Sequence, residues 1–388
     1  MGGQAFAHIV TDKPINIPRL SPDTYRQVAA DVKSKLETLF HHVTIPRDAP
    51  EKIDFGDIDF LVEGIRDPKN NSDIWVSVKE VLGAVLFVSP HHFGIRHPSV
   101  PDAYVQVDVE LSPGNGAENF EWTKFMKSDS DLLQIVGVIH RSLGITCTDK
   151  GMHVRIEEVE SYNRKKSMLF LTRDPIQAMQ FYGYDKAKYH QGFDSEVELF
   201  DWATNGRYFH WELYEDRDEN SNDRTRLNKR PMFRRFVLEY MPSCGKGTTS
   251  RTLTENRDPD AAIPSRQEVL QEALRMFGKH EEYNAIILEH KTKGVEEALW
   301  LQINNSIPSQ DAARGPILKG LKRWVTFKNG RPYITEQPIA TSMKLKWSEH
   351  FPNDAIPDIL AWIAENRDQI GKLEELRASE ARKAGMKK

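Results

Sequence analysis

The sequence predicts an α+β fold, in which a mixed sheet flanked by helices occupies the N-terminal part and helices dominate the C-terminal part. Two observations lead to this fold class. Residues 53–62 and 104–111 alternate apolar and acidic or polar side chains with a period of two, which is typical of strands. Beyond Arg164, apolar residues recur with the helical period in one segment after another.

The first helix is predicted from its capping residues. Ser21, Pro22 and Asp23 precede an apolar rhythm that should end near Leu39. A strand at residues 53–62, a helix at 74–81 and an apolar run at 83–88 are predicted next. They are followed by a strand at 104–111, a helix at 129–143 and a hairpin whose strands are 145–147 and 152–156.

The C-terminal part is divided by residues 248–264, which are rich in Thr, Asp, Asn and Pro and are typical of a loop or linker. We therefore expect an N-terminal domain at residues 1–160, a helical extension at 161–247 and a helical C-terminal domain at 265–388. The predicted helices cover residues 175–182, 195–204, 228–241, 265–278, 281–304, 316–327 and 356–384.

Composition restricts the class of protein. The 388 residues exceed the roughly 150 of one typical domain, and 39% hydrophobic with 28% charged residues fits a folded chain with a solvated surface. The net charge of -4 gives no general attraction to nucleic acid, so such binding would need a local basic patch. Two cysteines, no apolar run of membrane-spanning length and no signal-peptide pattern predict an intracellular protein, cytoplasmic or nuclear, without a membrane partner.

The acidic strand at residues 53–62 carries the strongest chemical signal. Asp57 and Asp59 are two positions apart, so their carboxylates share one face of the strand while Ile58 faces the core. Gly56 leaves room for the close approach of a ligand. A neighbouring strand with Asp108 would add a third carboxylate about 5 Å away. Such carboxylates need a cation to stay ionised together, and oxygen ligands favour Mg²⁺ or Mn²⁺. The alternative is an ordinary solvent-facing acidic strand.

These segments resemble a known superfamily. Gly-Asp-Ile-Asp-Phe-Leu-Val at residues 56–62, with Gly2 and Gly3 upstream and Asp108 downstream, is similar to the catalytic signature of the DNA polymerase beta-like nucleotidyltransferases. In that superfamily a glycine element precedes an Asp-x-Asp strand and a third Asp follows. The glycine pair lies farther upstream here than is usual. More narrowly, the chain resembles phage-type and virus-related nucleotidyltransferase-like proteins at residues 2–6, 52–62, 107–108, 137–144 and 171–209.

The resemblance implies a catalytic domain at residues 1–160, with the extension at 161–247 completing its cleft. It implies Asp57, Asp59 and Asp108 as catalytic ligands of Mg²⁺ or Mn²⁺, and a nucleoside triphosphate as the donor. It leaves the acceptor open, because members of the superfamily modify RNA, proteins and small molecules.

Five residues are candidates for holding the triphosphate. Gly2 and Gly3 would offer backbone amides to an anion, Gly56 would allow its close approach, and Lys52 and Arg141 would offer cationic side chains. Each has a structural alternative: a flexible terminus, a tight turn into the strand, a solvated lysine, or a surface arginine packed along its helix.

Two basic clusters are candidates for an RNA interface. Clustered Lys and Arg near aromatic residues can follow a nucleic-acid backbone and stack a base. The alternative is an amphipathic helix with a basic solvated face. The clusters consist of Arg224, Arg226, Lys229, Arg230, Arg234 and Arg235, and of Lys319, Lys322, Arg323 and Lys328 near Trp324 and Phe327.

Two other motifs are predicted to be loops. Residues 244–250 resemble a phosphate-binding loop but fail its spacing, since Gly247 follows Lys246 where Ser or Thr is required. The histidines His91, His92 and His97 lack a zinc-site pattern and are predicted to be surface histidines of a loop.

The sequence thus predicts a metal-dependent nucleotidyltransferase that moves a nucleoside monophosphate from a triphosphate to an acceptor hydroxyl, with an RNA end expected, and releases pyrophosphate. One alternative is a catalytically inactive member of the fold that binds RNA or a partner with steep salt dependence. Another is a phosphotransferase that moves the γ-phosphate and releases a nucleoside diphosphate.

Overall fold

The computed structural model describes residues 5–9, 14–67, 73–88, 90–114, 116–210, 221–244, 263–308, 313–340 and 345–385. The chain divides into two units, Met1–Glu281 and Glu282–Lys388. The predicted α+β class, with a mixed sheet and a helical C-terminal part, is confirmed. The three-domain division at 1–160, 161–247 and 265–388 stays a prediction.

A five-stranded mixed sheet in the order β1-β2-β5-β4-β3 forms the N-terminal half of the first unit. The pair β2 (Ile58–Ile65) and β5 (Tyr104–Leu111) is parallel, whereas all other pairs are antiparallel. The remaining strands are β1 (Phe40–Thr44), β3 (Leu86–Val88) and β4 (His92–Arg96). This order places the two predicted acidic strands side by side.

Two helices cover the sheet and share its hydrophobic core. Helix α1 (Pro22–Leu36) begins at Ser21, whose hydroxyl accepts a hydrogen bond from the Thr24 N–H. Helix α2 (Ile74–Leu82) ends at Gly83, whose φ of 63° is the left-handed conformation that favours glycine. Predicted and observed bounds agree closely for α2, while α1 ends three residues before the predicted Leu39.

A second sheet has the order β6-β7-β8. The predicted hairpin is confirmed as β6 (Ile145–Thr148) and β7 (Gly151–Arg155), joined by a turn at Asp149 and Lys150. A side chain at Gly151 would lie 2.6 Å from the Thr172 carbonyl oxygen, so only glycine fits here. Strand β8 (Met168–Thr172) was not predicted, because its five residues lack a clear period of two.

Helices make up the rest of the first unit. The predicted continuous helix at 228–241 is wrong, since Arg230 is extended (φ −123°, ψ 91°) directly before Pro231, and a residue before proline disfavours the helical region. The helices are α3 (Ala117–Lys127), α4 (Leu132–Ser142), α5 (Glu157–Glu160), α6 (Pro175–Tyr182), α7 (Lys186–Gln191), α8 (Glu196–Thr204), α9 (Ser221–Lys229), α10 (Pro231–Arg235), a π-helical turn (Phe236–Tyr240), α11 (Met241–Cys244) and α12 (Arg266–Phe277).

The second unit has its own core, built on helices and one hairpin. The predicted helix at 316–327 is too long, because the chain leaves α14 at Trp324 and turns back at Asn329 and Gly330, both with positive φ. Among the described helices, none has the length and apolar character needed to cross a bilayer. The elements are α13 (His280–Ser306), α14 (Arg314–Trp324), β9 (Val325–Lys328), β10 (Arg331–Ile334) and α15 (Ile356–Gly385).

Candidate active site

The acidic residues meet at the parallel strand pair. Asp59 of β2 and Asp108 of β5 are paired positions, and so are their neighbours Ile58 and Val107. Ile58 and Val107 are completely buried, so the two aspartates project from the opposite face of the sheet. Asp57 directly precedes β2. The structure therefore places Asp108 beside Asp59, as the strand pattern predicted.

The pKa of Asp59 reports the crowding of negative charge. It is raised from 3.8 to about 6 by loss of solvent around the carboxyl and then by repulsion from Asp57, Asp108 and Asp48, while Lys127 lowers it. The Asp59 residue keeps an exposed surface, and repulsion between neighbouring carboxylates acts on it without burial. The carboxylates act on one another as one acidic cluster.

Asp48 is a member of this cluster that the sequence analysis missed. Its Oδ2 accepts a hydrogen bond of 3.0 Å from the Tyr25 hydroxyl. The pKa of Tyr25 is raised by burial and then by Asp48, with smaller contributions from Asp59 and Asp57. No period or motif marks Asp48, because it lies in the irregular segment between β1 and β2.

Lys52 lies at the edge of the acidic cluster. Its ammonium forms an ion pair with Asp48 and stands 4.6 Å from the centre of the Phe55 ring. The side chain is 31% exposed, which leaves part of the ammonium open to solvent. Lys52 thus reduces the negative charge beside Asp57 and Asp59, and its contact with phosphate stays a prediction.

Asp108 is held from two sides. The His92 Nδ1 lies 2.8 Å from Asp108 Oδ1, and the Gln106 side-chain amide donates to both Asp108 oxygens at 3.0 and 3.1 Å. The assignment of His92 to a surface loop is wrong, since it belongs to β4 and pairs with Asp108 across the sheet. Strand register brings them together, and a single sequence does not show register.

The N-terminal segment contacts Gln106, the residue that binds the Asp108 carboxylate. The Ala5 N–H donates to Gln106 Oε1 at 3.1 Å, and Phe6 is buried. Ala5 is therefore joined to Asp108 through one side chain. Gly2, Gly3, residues 245–250 of the loop motif and most of the predicted linker at 248–264 lie outside the described residues.

Two other candidate phosphate ligands differ in position. Gly56 is buried directly before Asp57. Arg141 is exposed on α4, a helix that packs against β6, α8 and α10, and its carbonyl oxygen accepts a hydrogen bond from Arg155. Arg141 therefore belongs to the second sheet and its helices, and its role with phosphate stays a prediction.

The donor chemistry of the acidic cluster fits a hard divalent cation. Asp57, Asp59 and Asp108 supply carboxylate oxygens, which Mg²⁺ and Mn²⁺ prefer, and their mutual repulsion is what a cation would relieve. In the part of the chain that the structure describes, no three His, Cys, Asp or Glu side chains are arranged to hold a metal ion. The Asp108 oxygens face His92 and Gln106 instead.

The basic clusters are partly used within the protein. Arg235 forms a bidentate ion pair with Glu196, and Arg230 lies 3.5 Å from Asp131. In the second unit, Arg323 lies 3.6 Å from the buried Glu374, and the Lys322 ammonium stands 4.6 Å from the Trp300 ring centre. Arg230 and Lys322 are nevertheless exposed, as are Arg224, Lys229, Arg234, Lys319 and Lys328.

Comparison with known proteins adds no family to these observations. No protein-family model matches the chain, and no curated protein gives a match. The relation to the nucleotidyltransferase superfamily accordingly stays a prediction from sequence resemblance.

Proposed function

We propose that the chain is a metal-dependent nucleotidyltransferase that transfers a nucleoside monophosphate from a triphosphate to an acceptor hydroxyl and releases pyrophosphate. The observation that carries the proposal is the pairing of Asp59 with Asp108 on parallel strands, with Asp57 directly ahead of them. Parallel pairing puts the carboxylates on one face, where their repulsion raises the pKa of Asp59.

Asp57, Asp59 and Asp108 would hold Mg²⁺ or Mn²⁺. When bound, these ions would neutralise charge on the phosphates and favour loss of the proton of the attacking hydroxyl. His92 and Gln106 orient Asp108, which in the proposed reaction faces the acceptor hydroxyl. Lys52 and Gly56 would border the triphosphate, and the contact of Ala5 with Gln106 supports a role for Gly2 and Gly3 in binding it. Catalysis would come from positioning and charge neutralisation.

We further propose an RNA end as the acceptor and an intracellular location, cytoplasmic or nuclear. The exposed side chains of Lys229, Arg234 and Lys319 support the choice of RNA, because clustered positive charge attracts a phosphate backbone. The five-stranded mixed sheet with helices beside it supports a nucleotidyltransferase-type fold.

The test is transfer of label from triphosphates. The purified chain is incubated with each nucleoside triphosphate labelled at the α-phosphate, with Mg²⁺ or Mn²⁺, total cellular RNA and total protein. The double variant Asp57→Asn/Asp59→Asn is the test, and Asp23→Asn/Asp31→Asn on exposed positions of α1 is the control. We expect transfer by the wild type and the control alone.

Three outcomes would contradict the proposal. Equal transfer by the Asp57→Asn/Asp59→Asn variant would remove the site assignment. Release of nucleoside diphosphate instead of pyrophosphate would indicate the phosphotransferase. Absence of transfer together with salt-dependent RNA binding would indicate the binding module.

A further inference from the structure

The first unit contains a cavity of about 400 Å³ beside the loop that leads to the acidic strand. Its walls come from the segment that follows β1, from α3 and from α6 and α7. This volume lies in the range of small-molecule binding pockets, roughly 300–1,000 Å³. The residues that matter here are Arg47, Lys124, Phe125, Ile176, Met179 and Tyr189.

Chain connections place the cavity next to the acidic cluster. Arg47 lines the cavity, while its neighbour Asp48 binds Tyr25 within the cluster. On α3, Lys124 lines the cavity, and Lys127, one turn later, forms a 2.6 Å ion pair with Glu110 on the strand of Asp108. Two independent elements thus run from the cavity wall to the acidic cluster.

The register of β1 gives a third connection. Thr44, its last residue, pairs with Leu61, and the strands are antiparallel. The chain beyond Thr44 therefore runs back along β2 in the direction of Asp59. Ile45 and Arg47 follow Thr44 directly and line the cavity.

The cavity is built before any ligand arrives. The Arg47 guanidinium makes bonds of 3.0 and 2.8 Å to the two oxygens of Asp129 and donates to the Tyr189 carbonyl at 2.6 Å. Asp129 is buried, and its backbone N–H donates to the Arg47 carbonyl at 2.8 Å. Three separate chain segments are therefore fixed around the cavity, as in preformed binding sites.

The walls suit an uncharged ligand with flat apolar faces and polar edges. Phe125, Ile176 and Met179 provide apolar surface. Asp129 compensates Arg47, Glu121 lies 3.5 Å from Lys124, and Asp174, a further acidic lining residue, accepts a hydrogen bond from the Ile176 N–H. A ligand charge is not required, whereas the polar edge of a heterocyclic base would find both donors and acceptors here.

We propose that this cavity binds a nucleoside, from either the triphosphate donor or the RNA end, with its phosphate directed to the acidic cluster. The proposal rests on the proposed transferase function for its biological use, but nucleoside binding itself requires neither metal nor transfer. It assigns base recognition to Arg47, Lys124 and the α6–α7 wall, which the sequence analysis left without a role.

The test fills the cavity with a larger side chain. Ile176 is 44% exposed at the start of α6, so Ile176→Trp can be accommodated while its indole occupies cavity space. Val197→Trp on α8, where Val197 is 58% exposed, is the matched control outside the cavity. Binding of adenosine, guanosine, cytidine and uridine is measured by calorimetry without divalent metal.

We expect the wild type and Val197→Trp to bind at least one nucleoside alike, and Ile176→Trp to bind it about tenfold more weakly or worse. A second pair of variants is Lys124→Ala in the cavity wall and Lys33→Ala on α1 as its control. Each substitution removes one surface ion pair with a glutamate, so only Lys124→Ala should weaken nucleoside binding. Failure of the wild type to bind any nucleoside, or equal binding by Ile176→Trp, overturns the proposal.

The two assays distinguish nucleoside binding by the cavity from nucleotidyl transfer. Nucleoside binding that Ile176→Trp weakens, without nucleotidyl transfer by the wild type, keeps the cavity assignment and overturns the transferase. Transfer with nucleoside binding that Ile176→Trp leaves unchanged does the reverse. Displacement of the bound nucleoside by a triphosphate identifies the donor as its source, and displacement by a short oligoribonucleotide with a free 3′ hydroxyl identifies the acceptor.

Discussion

The His92 imidazole and the Asp108 carboxylate occupy paired positions on β4 and β5, with Nδ1 and Oδ1 2.8 Å apart. Gln106 lies two residues before Asp108 and binds the same carboxylate. The direction of Asp108 is therefore set both along its own strand and across the sheet. In the proposed reaction His92 would be a positioning residue, because its contact is with the Asp108 carboxylate.

We expect His92→Ala to lower the rate of nucleotidyl transfer about tenfold, as loss of a ligand-orienting partner commonly does. Transfer should persist, because Gln106 still contacts both Asp108 oxygens. His97→Ala is the control, since the His97 Nδ1 accepts hydrogen bonds from the Ser99 and Val100 N–H groups within its own turn. Steady-state rates decide, and an unchanged rate in His92→Ala would exclude the positioning role.

Asp59→Asn should stabilise the metal-free protein at neutral pH. The folded pKa of about 6 exceeds the ordinary 3.8, so the folded chain holds the proton more tightly and loses stability as pH rises from about 4 to about 6. Because Asp59 is exposed, solvent screening should keep the gain in stability below about 1 kcal/mol, or roughly 2 °C in melting temperature. Melting curves in a chelator should show the two proteins converging below pH 4. A stability difference independent of pH would contradict the raised pKa.

Arg47→Ala should destabilise the first unit by roughly 2–3 kcal/mol, because it leaves the buried Asp129 without its ion pair. Arg19→Ala is the control, since Arg19 and Asp54 are an exposed pair whose loss should cost less than about 1 kcal/mol. Urea unfolding measures both. If Arg47→Ala/Asp129→Asn proved no more stable than Arg47→Ala, the unpaired charge would not be the cause.

His140→Phe should keep or raise stability. The ring is 2% exposed and stacks on Tyr182 at 3.6 Å, and neither of its nitrogens has a hydrogen-bond partner within the described part of the chain. His153→Phe is the control, because His153 lies 2.9 Å from the Gly151 carbonyl and would lose that bond, at a cost of about 1 kcal/mol. Loss of more than about 2 kcal/mol in His140→Phe would indicate an unseen partner of the imidazole.

The buried His140 side chain predicts that the stability of the protein depends on pH. Burial lowers the pKa of His140 to about 3, with a further contribution from Arg207, so the unfolded chain binds its proton first. Stability should therefore fall as pH drops below 6.5, and His140→Phe should flatten that decline. Unfolding free energies between pH 7 and pH 4 test this, and parallel curves would contradict it.

Gly320→Ala should destabilise the second unit by about 1–3 kcal/mol. A methyl group there would lie 2.8 Å from the Ile370 carbonyl oxygen, because α14 and α15 approach closely at this point. Gly294→Ala in α13 meets nothing within 4 Å and should gain up to about 1 kcal/mol from helix propensity. Thermal unfolding compares the two, and equal shifts would show that the helices can separate without cost.

The period of the sequence predicted the elements whose faces are clearly divided. Strand β5 has the predicted bounds. Helices α6 and α8 begin after Asp174 and Ser195, which are residue types that commonly cap helices and can be recognised in the sequence. The hairpin after α14 was missed, because the apolar rhythm continues through Trp324 to Phe327 and concealed the turn at Asn329. Local pattern therefore identified elements better than their ends.

The site was only half predictable for a different reason. Asp57 and Asp59 share a face by the period of their own strand, whereas Asp108 lies beside them through the pairing of β2 with β5. Asp48 and His92 join them through strand register and loop path, which arise from packing between distant segments. The sheet order, with β5 inserted beside β2, likewise has no local signal.

The loop between β1 and β2 depends on chain that is synthesised much later. Arg47 is held by Asp129 and Tyr189, and the Glu51 carboxylate accepts a hydrogen bond from the Glu196 N–H. When only the first sheet has emerged from the ribosome, the residues that anchor this loop are not yet available to it. The acidic strand can be paired by then, but the loop beside it acquires its final path only after α7 and α8 have emerged. We therefore expect the loop beside the acidic strand to reach its final path late in cotranslational folding.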